Sequence, residues 1–553
     1  MHQCLQIDEI VCMICSNLDG HDYYSWIACP TRTPNREASS LRSLAALART
    51  CRALQGPALG VLWREIPDIF ILVKYLMPDQ LLHFDDASRT MFLTRPPSDS
   101  DWGRLDPYVQ QIQAVGISVR PGVRPLLDRD SVLRPLANYL MRRTVEGIPF
   151  PNLAHVVYHP SWTDPLYSSL LLSPRLQTLQ LPMLLSTSFE DWGFGPQVSY
   201  MTYSVVRQHL RELLAEHIRP AIRRTHRLRA IWLDGSILDA ATLSHLGALT
   251  SLTTLALDCA WYSMSYAPRD KLHYRAFPSL TQLLLTPGPE GPEFLAHIDP
   301  VALCTVTVEW NYVRIETHTY GMCLQAIIFQ LSHLKGLTRL TIIEPPEDSD
   351  AYERAGLCNG SMYLEPLLSM TSLRTLEISI DGVIQLDDAF LSTLARDFPF
   401  LDSLSLVPRE QGGGGFSFEE ISGGEDDVYL PSMDGLVTLV TGCQRLTKLG
   451  LAVEARFRGG RRPPRDVRCP SSVRSLNLWT TPLDPAISGD EFVDFFALAF
   501  PSLEVFYILL ASPSVPDGAY ADTTMKEGYA RWDAVRDQLR NRLEGLRVTS
   551  IMY

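Results

Sequence analysis

One short apolar phrase recurs along most of this chain and restricts what it can fold into. Its form is apolar, two variable, apolar, one variable, apolar. It runs from Ile112-x-x-Val115-x-Ile117 to Leu503-x-x-Phe506-x-Ile508, with thirteen copies that include Leu228-x-x-Ile231-x-Leu233 and Val473-x-x-Leu476-x-Leu478. The alternation that closes each copy has the period of a strand, and several stretches between copies read as helices: Tyr203 to Leu214, Tyr320 to Leu334 and Leu386 to Phe398. Most copies lie twenty-odd to thirty-odd residues apart. A strand–helix unit of that size buries its apolar face only by stacking on copies of itself. The phrases Phe277-Pro278-Ser279-Leu280, Phe398-Pro399-Phe400-Leu401 and Phe500-Pro501-Ser502-Leu503 support this reading, because proline ends a helix and turns the chain toward the next strand.

The spacing resembles that of leucine-rich repeats, which implies an irregular parallel β/α solenoid over 109–553, class α/β. The resemblance is incomplete. Such repeats place Asn or Cys three positions after the last strand leucine, and here Asn311 is the only obvious case. A helix over Thr524 to Arg542 is expected to cap the array. Residues 411–429 (glycine-rich and acidic) and 456–468 (six arginines) read as insertions.

Within each copy the apolar positions point to the core and the variable ones outward. The outward set includes His155, His159, Trp232, Asp234, Asp258, Glu309, Arg339, Glu377, Lys448, Asn477, Trp479 and Tyr507. Aromatic residues dominate binding hot spots, so Trp479 and Tyr507 in neighbouring copies, with Asn477 beside them, form the expected anchor for a target protein. Asp234 and Asp258 occupy equivalent places in successive copies and predict an acidic stretch suited to a basic segment.

Ahead of the repeats lies a different pattern. Ile7, Ile10, Val11, Ile14 and Leu18 share one helical face, and Leu44, Leu47, Cys51 and Leu54 share another before Pro57 breaks the run. A short segment then closes on Leu62-Trp63 and Ile66. Three short helices in about 60 residues are marginal alone, so residues 1–66 are read as a helical module with apolar surface left for a partner. Residues 67–108 connect it to the array, and Trp102 is placed to pin that connection.

Glu9-Ile10-Val11 with Ile14 and Leu18, Ser43 to Leu54 with Thr50-Cys51-Arg52, and Leu62-Trp63 together resemble an F-box, with the spacing found in mushroom-type fungi. The family opens with Leu-Pro where this chain has Gln6-Ile7. The resemblance implies docking onto a Skp-type adaptor and through it a cullin, with Leu5, Ile7, Ile10, Ile14, Leu54 and Trp63 supplying core and adaptor-binding positions. It implies a non-catalytic substrate receptor of a ubiquitin ligase, cytoplasmic or nuclear. A non-ligase interaction scaffold is the alternative.

Other classes find little support. The formal net charge of −13 disfavours nucleic acid phosphates. No long uninterrupted apolar run indicates a membrane span, and the first residues lack the basic start of a signal peptide. Eleven cysteines, an odd count without a secretion signal, read as reduced thiols. Cys12-x-x-Cys15 has half of a zinc spacing, with Cys4, His21, Cys29 and Cys51 nearby, but no second pair completes it. Phosphate-loop, dinucleotide and nucleophile-elbow motifs are missing, so no cofactor, metal or catalytic residue is expected. Arg207, Arg211, Arg219, Arg223, Arg224, Arg227 and Arg229 are the strongest charge cluster, read chiefly as a solvated helix face balanced by Glu212 and Glu216.

Overall fold

In the computed structural model the apolar phrases become strands of parallel sheets, one strand per copy. The described residues are 8–19, 38–67, 69–85, 90–116, 126–127, 131–132, 134–143, 148–157, 171–181, 212, 215–235, 238–258, 276–286, 302–309, 320–343, 360–380, 384–407, 430–457, 471–480, 483, 487–510, 523–543 and 547–552. The chain divides into two compact units, Met1–Cys259 with Met264–Leu280, and Ala260–Ser263 with Thr281–Tyr553.

The first unit opens with three helices, α1 (Asp8–Asp19), α2 (Ala38–Ala48) and α3 (Arg52–Arg64). Their core is Val11, Cys15, Leu44, Ala58 and Val61, with Leu47, Ala48, Leu54 and Leu62 packed against it. The run read from sequence as one helix through Leu54 is two. It stops at Ala48, and Cys51 in extended backbone starts α3, which continues through Pro57 to Arg64. Pro57 sits in the second turn of α3, where its missing N–H removes one helical bond without ending the helix.

The helix then feeds the sheet directly. Strand β1 (Glu65–Ile66) pairs with β4 (Ala114–Val115), so the last residues of the helical segment are the first rung of the repeats. Strands β2 (Leu82–Asp85), β3 (Thr90–Leu93) and β5 (Leu126–Leu127) form a small separate sheet. Ser98 caps the helix Asp99–Trp102 with a reciprocal Asp101 contact, and buried Trp102 does pin the connection. The main sheet continues through β6 (His155–Val157), β7 (Thr178–Gln180), β8 (Ala230–Asp234) and β9 (Thr254–Asp258), all parallel.

The second unit holds β10 (Gln282–Thr286), β11 (Thr305–Glu309), β12 (Arg339–Ile343), β13 (Thr375–Ser379), β14 (Ser403–Leu406), β15 (Lys448–Val453), β16 (Ser475–Thr480), β17 (Val505–Leu510) and β18 (Arg547–Met552). Each is parallel to the next, with repeat leucines in register, such as Leu340 with Leu376 and Leu404 with Leu449. The repeat positions of β10 to β17 are buried in the core.

A turn that the sequence showed only through its Phe-Pro phrases leads into many of the strands. Three residues before the first repeat leucine stands a buried residue whose carbonyl accepts from that leucine's N–H, closing a turn: Phe150, Leu249, Phe277, Leu334, Met370, Phe398, Cys443 and Phe500 all do this. Proline follows the aromatic members, where its fixed φ suits the turn. Side-chain hydroxyls then reach the preceding repeat. Thr253, Thr338 and Thr447 Oγ1 donate to the carbonyls of Arg229, Cys304 and Asp402 at 3.1, 3.0 and 2.9 Å. This ladder stands at the start of the strand. Asn311 lies outside the described residues, as do His159 and the stretches 203–211, 411–429 and 458–468.

The helices between strands carry acid or serine caps. Asp239 precedes α4 (Ala240–Ala248), Asp387 precedes α6 (Asp388–Asp397), Ser432 precedes α7 (Met433–Gly442) and Ser488 precedes α8 (Gly489–Ala499). Between α4 and α6 in sequence lies α5 (Tyr320–Leu331). Helices α6 and α7 approach closely at Gly442, where a Cβ would stand 2.6 Å from that of Ala395. Helix α9 (Thr523–Arg542) buries Trp532, Val535 and Leu539, with Trp532 5.7 Å from the Phe492 ring. The expected terminal cap is therefore corrected: β18 follows α9 and pairs with β17, so α9 is the helix of a further repeat.

Candidate functional site

Two surfaces stand apart from the cores. The first is on α1. Its apolar residues span a wider arc than α2 and α3 cover. Val11 and Cys15 fill the core, whereas Ile10 is half-buried and Ile14, Leu18 and Met13 are 41%, 40% and 60% exposed. Ile10, Ile14 and Leu18 are spaced at i, i+4 and i+8, one ridge along the helix. The core role expected for Ile14 is corrected: it is exposed. Cys15 takes that place, and its burial pushes the thiol pKa up, with Cys12 adding to the effect. Arg42, Arg49 and Arg52 on the same three-helix unit are exposed and form no ion pair among the described residues.

Two other expected adaptor positions are used within the chain. Leu54 packs on the helical core, and the Trp63 ring lies 4.7 Å from that of Tyr108. Leu5 and Ile7 lie outside the described residues, as do Cys4, His21 and Cys29. Among the described residues no group of three or more His, Cys, Asp or Glu is placed to hold a metal ion, and no helix is long and apolar enough to cross a membrane.

The second surface is the outward side of the strands. In the first unit it is largely closed. Trp232, Asp234 and Asp258 are buried, so the expected acidic stretch is not an exposed one, although Asp234 and Asp258 do stand side by side in register. His155, also outward by position, is buried 3.1 Å from Thr178 Oγ1; burial first, then the Arg229 charge, lowers its pKa to about 4. The arginine cluster is partly structural, since Arg219 and Arg223 pair with the α4 cap Asp239.

In the second unit the outward positions are more open. Arg339 and Lys448 are exposed, Glu377 and Asn477 half-buried, and Tyr507 is 37% exposed. Glu309 is half-buried, and burial raises its carboxyl pKa. Trp479 is only 8% exposed, which corrects its expected role as an exposed anchor. Small and hydroxyl side chains line the strands between: Thr307, Thr341, Ser405 and Gly450 share one row with Glu377, Asn477 and Tyr507. Gly450 was not singled out by sequence reasoning, though aligning the copies on their leucines would have found it.

Strands in leucine register, one per repeat and joined through helices, define a leucine-rich-repeat-like fold. No protein-family model matches the chain, and no curated protein matches it. Among solved structures it is similar to an internalin from Listeria monocytogenes at 12% identity, over 80% of this chain and 87% of that one, with a TM-score of 0.35. The repeat assignment rests on strand register alone.

Proposed function

We propose that this chain is the target-binding subunit of a Skp–cullin–F-box type ubiquitin ligase. The observation that carries the reading is the Ile10–Ile14–Leu18 ridge, left uncovered on a three-helix unit whose core is already made. Exposed apolar residues on a small helical unit favour a partner with a matching groove, and the exposed Arg42, Arg49 and Arg52 favour an acidic one. In this reading the ridge docks a Skp-type adaptor that links to a cullin, and the outward strand face of the second unit holds the target. The subunit performs no covalent step. It raises the concentration of target beside a charged ubiquitin-conjugating enzyme, which is a proximity effect. The site of action is cytoplasmic or nuclear.

A scaffold without a ligase is the second reading, favoured by Gln6-Ile7 in the place of the family's Leu-Pro. Co-expression with a Skp-type adaptor separates the two. The wild-type chain should co-purify with the adaptor at one-to-one, and Ile14→Asp with Leu18→Asp should lose it while keeping the melting temperature. Adaptor retained by that double variant overturns the docking ridge. A folded wild-type chain that never captures adaptor leaves the scaffold.

A further inference from the structure

Across the strand starts of the second unit runs one outward row without an apolar side chain. It reads Thr305, Arg339, Thr375, Ser403, Lys448 and Ser475, from β11 to β16, each in register with the next. Each precedes a buried repeat residue, from Val306 to Leu476, so alternation turns it to the outward face. Arg339 and Lys448 are exposed and the other four half-buried, so the row is accessible as it stands.

Charges beside the row are matched, and those on it are not. Where the strands begin, Arg445 pairs with Asp402 at 3.1 Å and Arg474 with Glu504 at 3.2 Å. Arg339 and Lys448 form no ion pair among the described residues, on a chain whose formal net charge is −13. Exposed Arg374, next to Thr375, adds to the positive field. Three strand steps separate Arg339 from Lys448, about 14 Å at ~4.8 Å per step. An extended peptide covers that span in about four residues at ~3.4 Å each, and residues four apart face the same side. Each site offers one cation, which suits a singly charged carboxylate better than the concentrated charge of a phosphate. Half-buried Glu377, two residues beyond Thr375 on the same face of β13, repels an acid placed midway.

We propose that this row binds an extended segment of the target that crosses the strands and carries Asp or Glu at two positions four residues apart. One carboxylate meets Arg339 and the other Lys448. Between them the hydroxyls of Thr375 and Ser403, able to donate and to accept, bond the peptide backbone. This deepens the reading of the strand face as the target-binding surface and rests on it.

The test pans a displayed library of random linear peptides against the full chain and measures the selected peptides by fluorescence anisotropy. Selected sequences should share two acids four residues apart and bind more weakly as salt rises. Arg339→Ser and Lys448→Ser place the row's own residue type at exposed sites, so both should keep the melting temperature. Each should weaken binding about fivefold. Lys448→Glu should weaken it further, and changing one particular acid of the peptide to Lys should restore it, the mark of a direct pair. Peptides without the spaced acids, or indifferent to Arg339→Ser and Lys448→Ser, overturn the acidic track; their loss on Tyr507→Ala would leave the target face standing. Failure to select any peptide, or indifference to all four substitutions, overturns both. A phosphoserine peptide or a single-stranded RNA that binds more tightly than the selected peptides overturns the carboxylate pair as the ligand.

Discussion

In the repeats from β13 to β17, each apolar residue of the pattern is covered by the next turn of chain, whereas in the α1–α3 unit the apolar arc is wider than its core. Leu376, Leu404, Leu449, Leu476 and Phe506 are all almost inaccessible. Ile14 and Leu18, equally apolar and equally periodic, lie open. The difference teaches that periodicity identifies a face able to be buried. Whether it is buried depends on how many neighbours the fold supplies. A repeat supplies one on each side, while three short helices cover only part of a helix's circumference.

The sharpest way to break this contrast is to truncate one residue from each region. Phe398→Ala empties a fully buried lead-in position and should destabilise the second unit by about 3–5 kcal/mol. Ile14→Ala should stay within about 0.5 kcal/mol. Urea unfolding followed by circular dichroism checks both, and equal losses would mean that the α1 ridge is part of a core.

A second expectation concerns pH and the first unit alone. Folded His155 titrates near 4, below its unfolded value of about 6.5, because burial disfavours its charged form. Between those values the unfolded chain binds more protons than the folded one, so stability is present above pH 6.5 and is lost as pH falls toward 4. The loss should reach at most about 3 kcal/mol. Hydrogen-exchange protection at β6 and β7, corrected for the intrinsic exchange rate, should fall as the pH falls through that window, and His155→Gln should flatten the response. A wild-type profile flat across it would place His155 in a solvated setting.

The smallest effect sharpens the comparison within the repeats. Asp387 Oδ1 accepts the Phe390 N–H at 2.7 Å at the start of α6. Asp387→Ala should cost about 1 kcal/mol, far less than Phe398→Ala at the other end of the same helix. A loss as large as that of Phe398→Ala would mean that capping, more than the buried lead-in residue, fixes the repeat.

The sequence made the repeat strands legible because register converts each leucine triplet into one buried column. The two ends of the array were harder to see. In register with Phe506 and Ile508, the final strand offers Val548 and Ser550, so one of these two apolar marks is missing. At the other end, Trp63 and Ile66 match Ile112 and Val115, but they follow a helical run without interruption and read as its tail. At the candidate sites the outward positions followed directly from alternation. Their exposure did not, since Trp232 and Trp479 are buried on the side where alternation alone predicts solvent.

The lead-in turns have a consequence for how such a chain changes its length. Each turn closes within its own repeat, and at Thr253, Thr338 and Thr447 a hydroxyl fastens the residue just before the strand to the repeat before it. Where these contacts stand, alignment is set at the strand's beginning, before the segment that follows the strand. Copies at Leu280 and Leu303 lie close together, while those at Leu401 and Leu446 are nearly twice as far apart, yet β14 and β15 still match leucine to leucine. Segments can lengthen, shrink or be exchanged beyond each strand without shifting any later column, so the chain can vary its outer segments over a fixed frame.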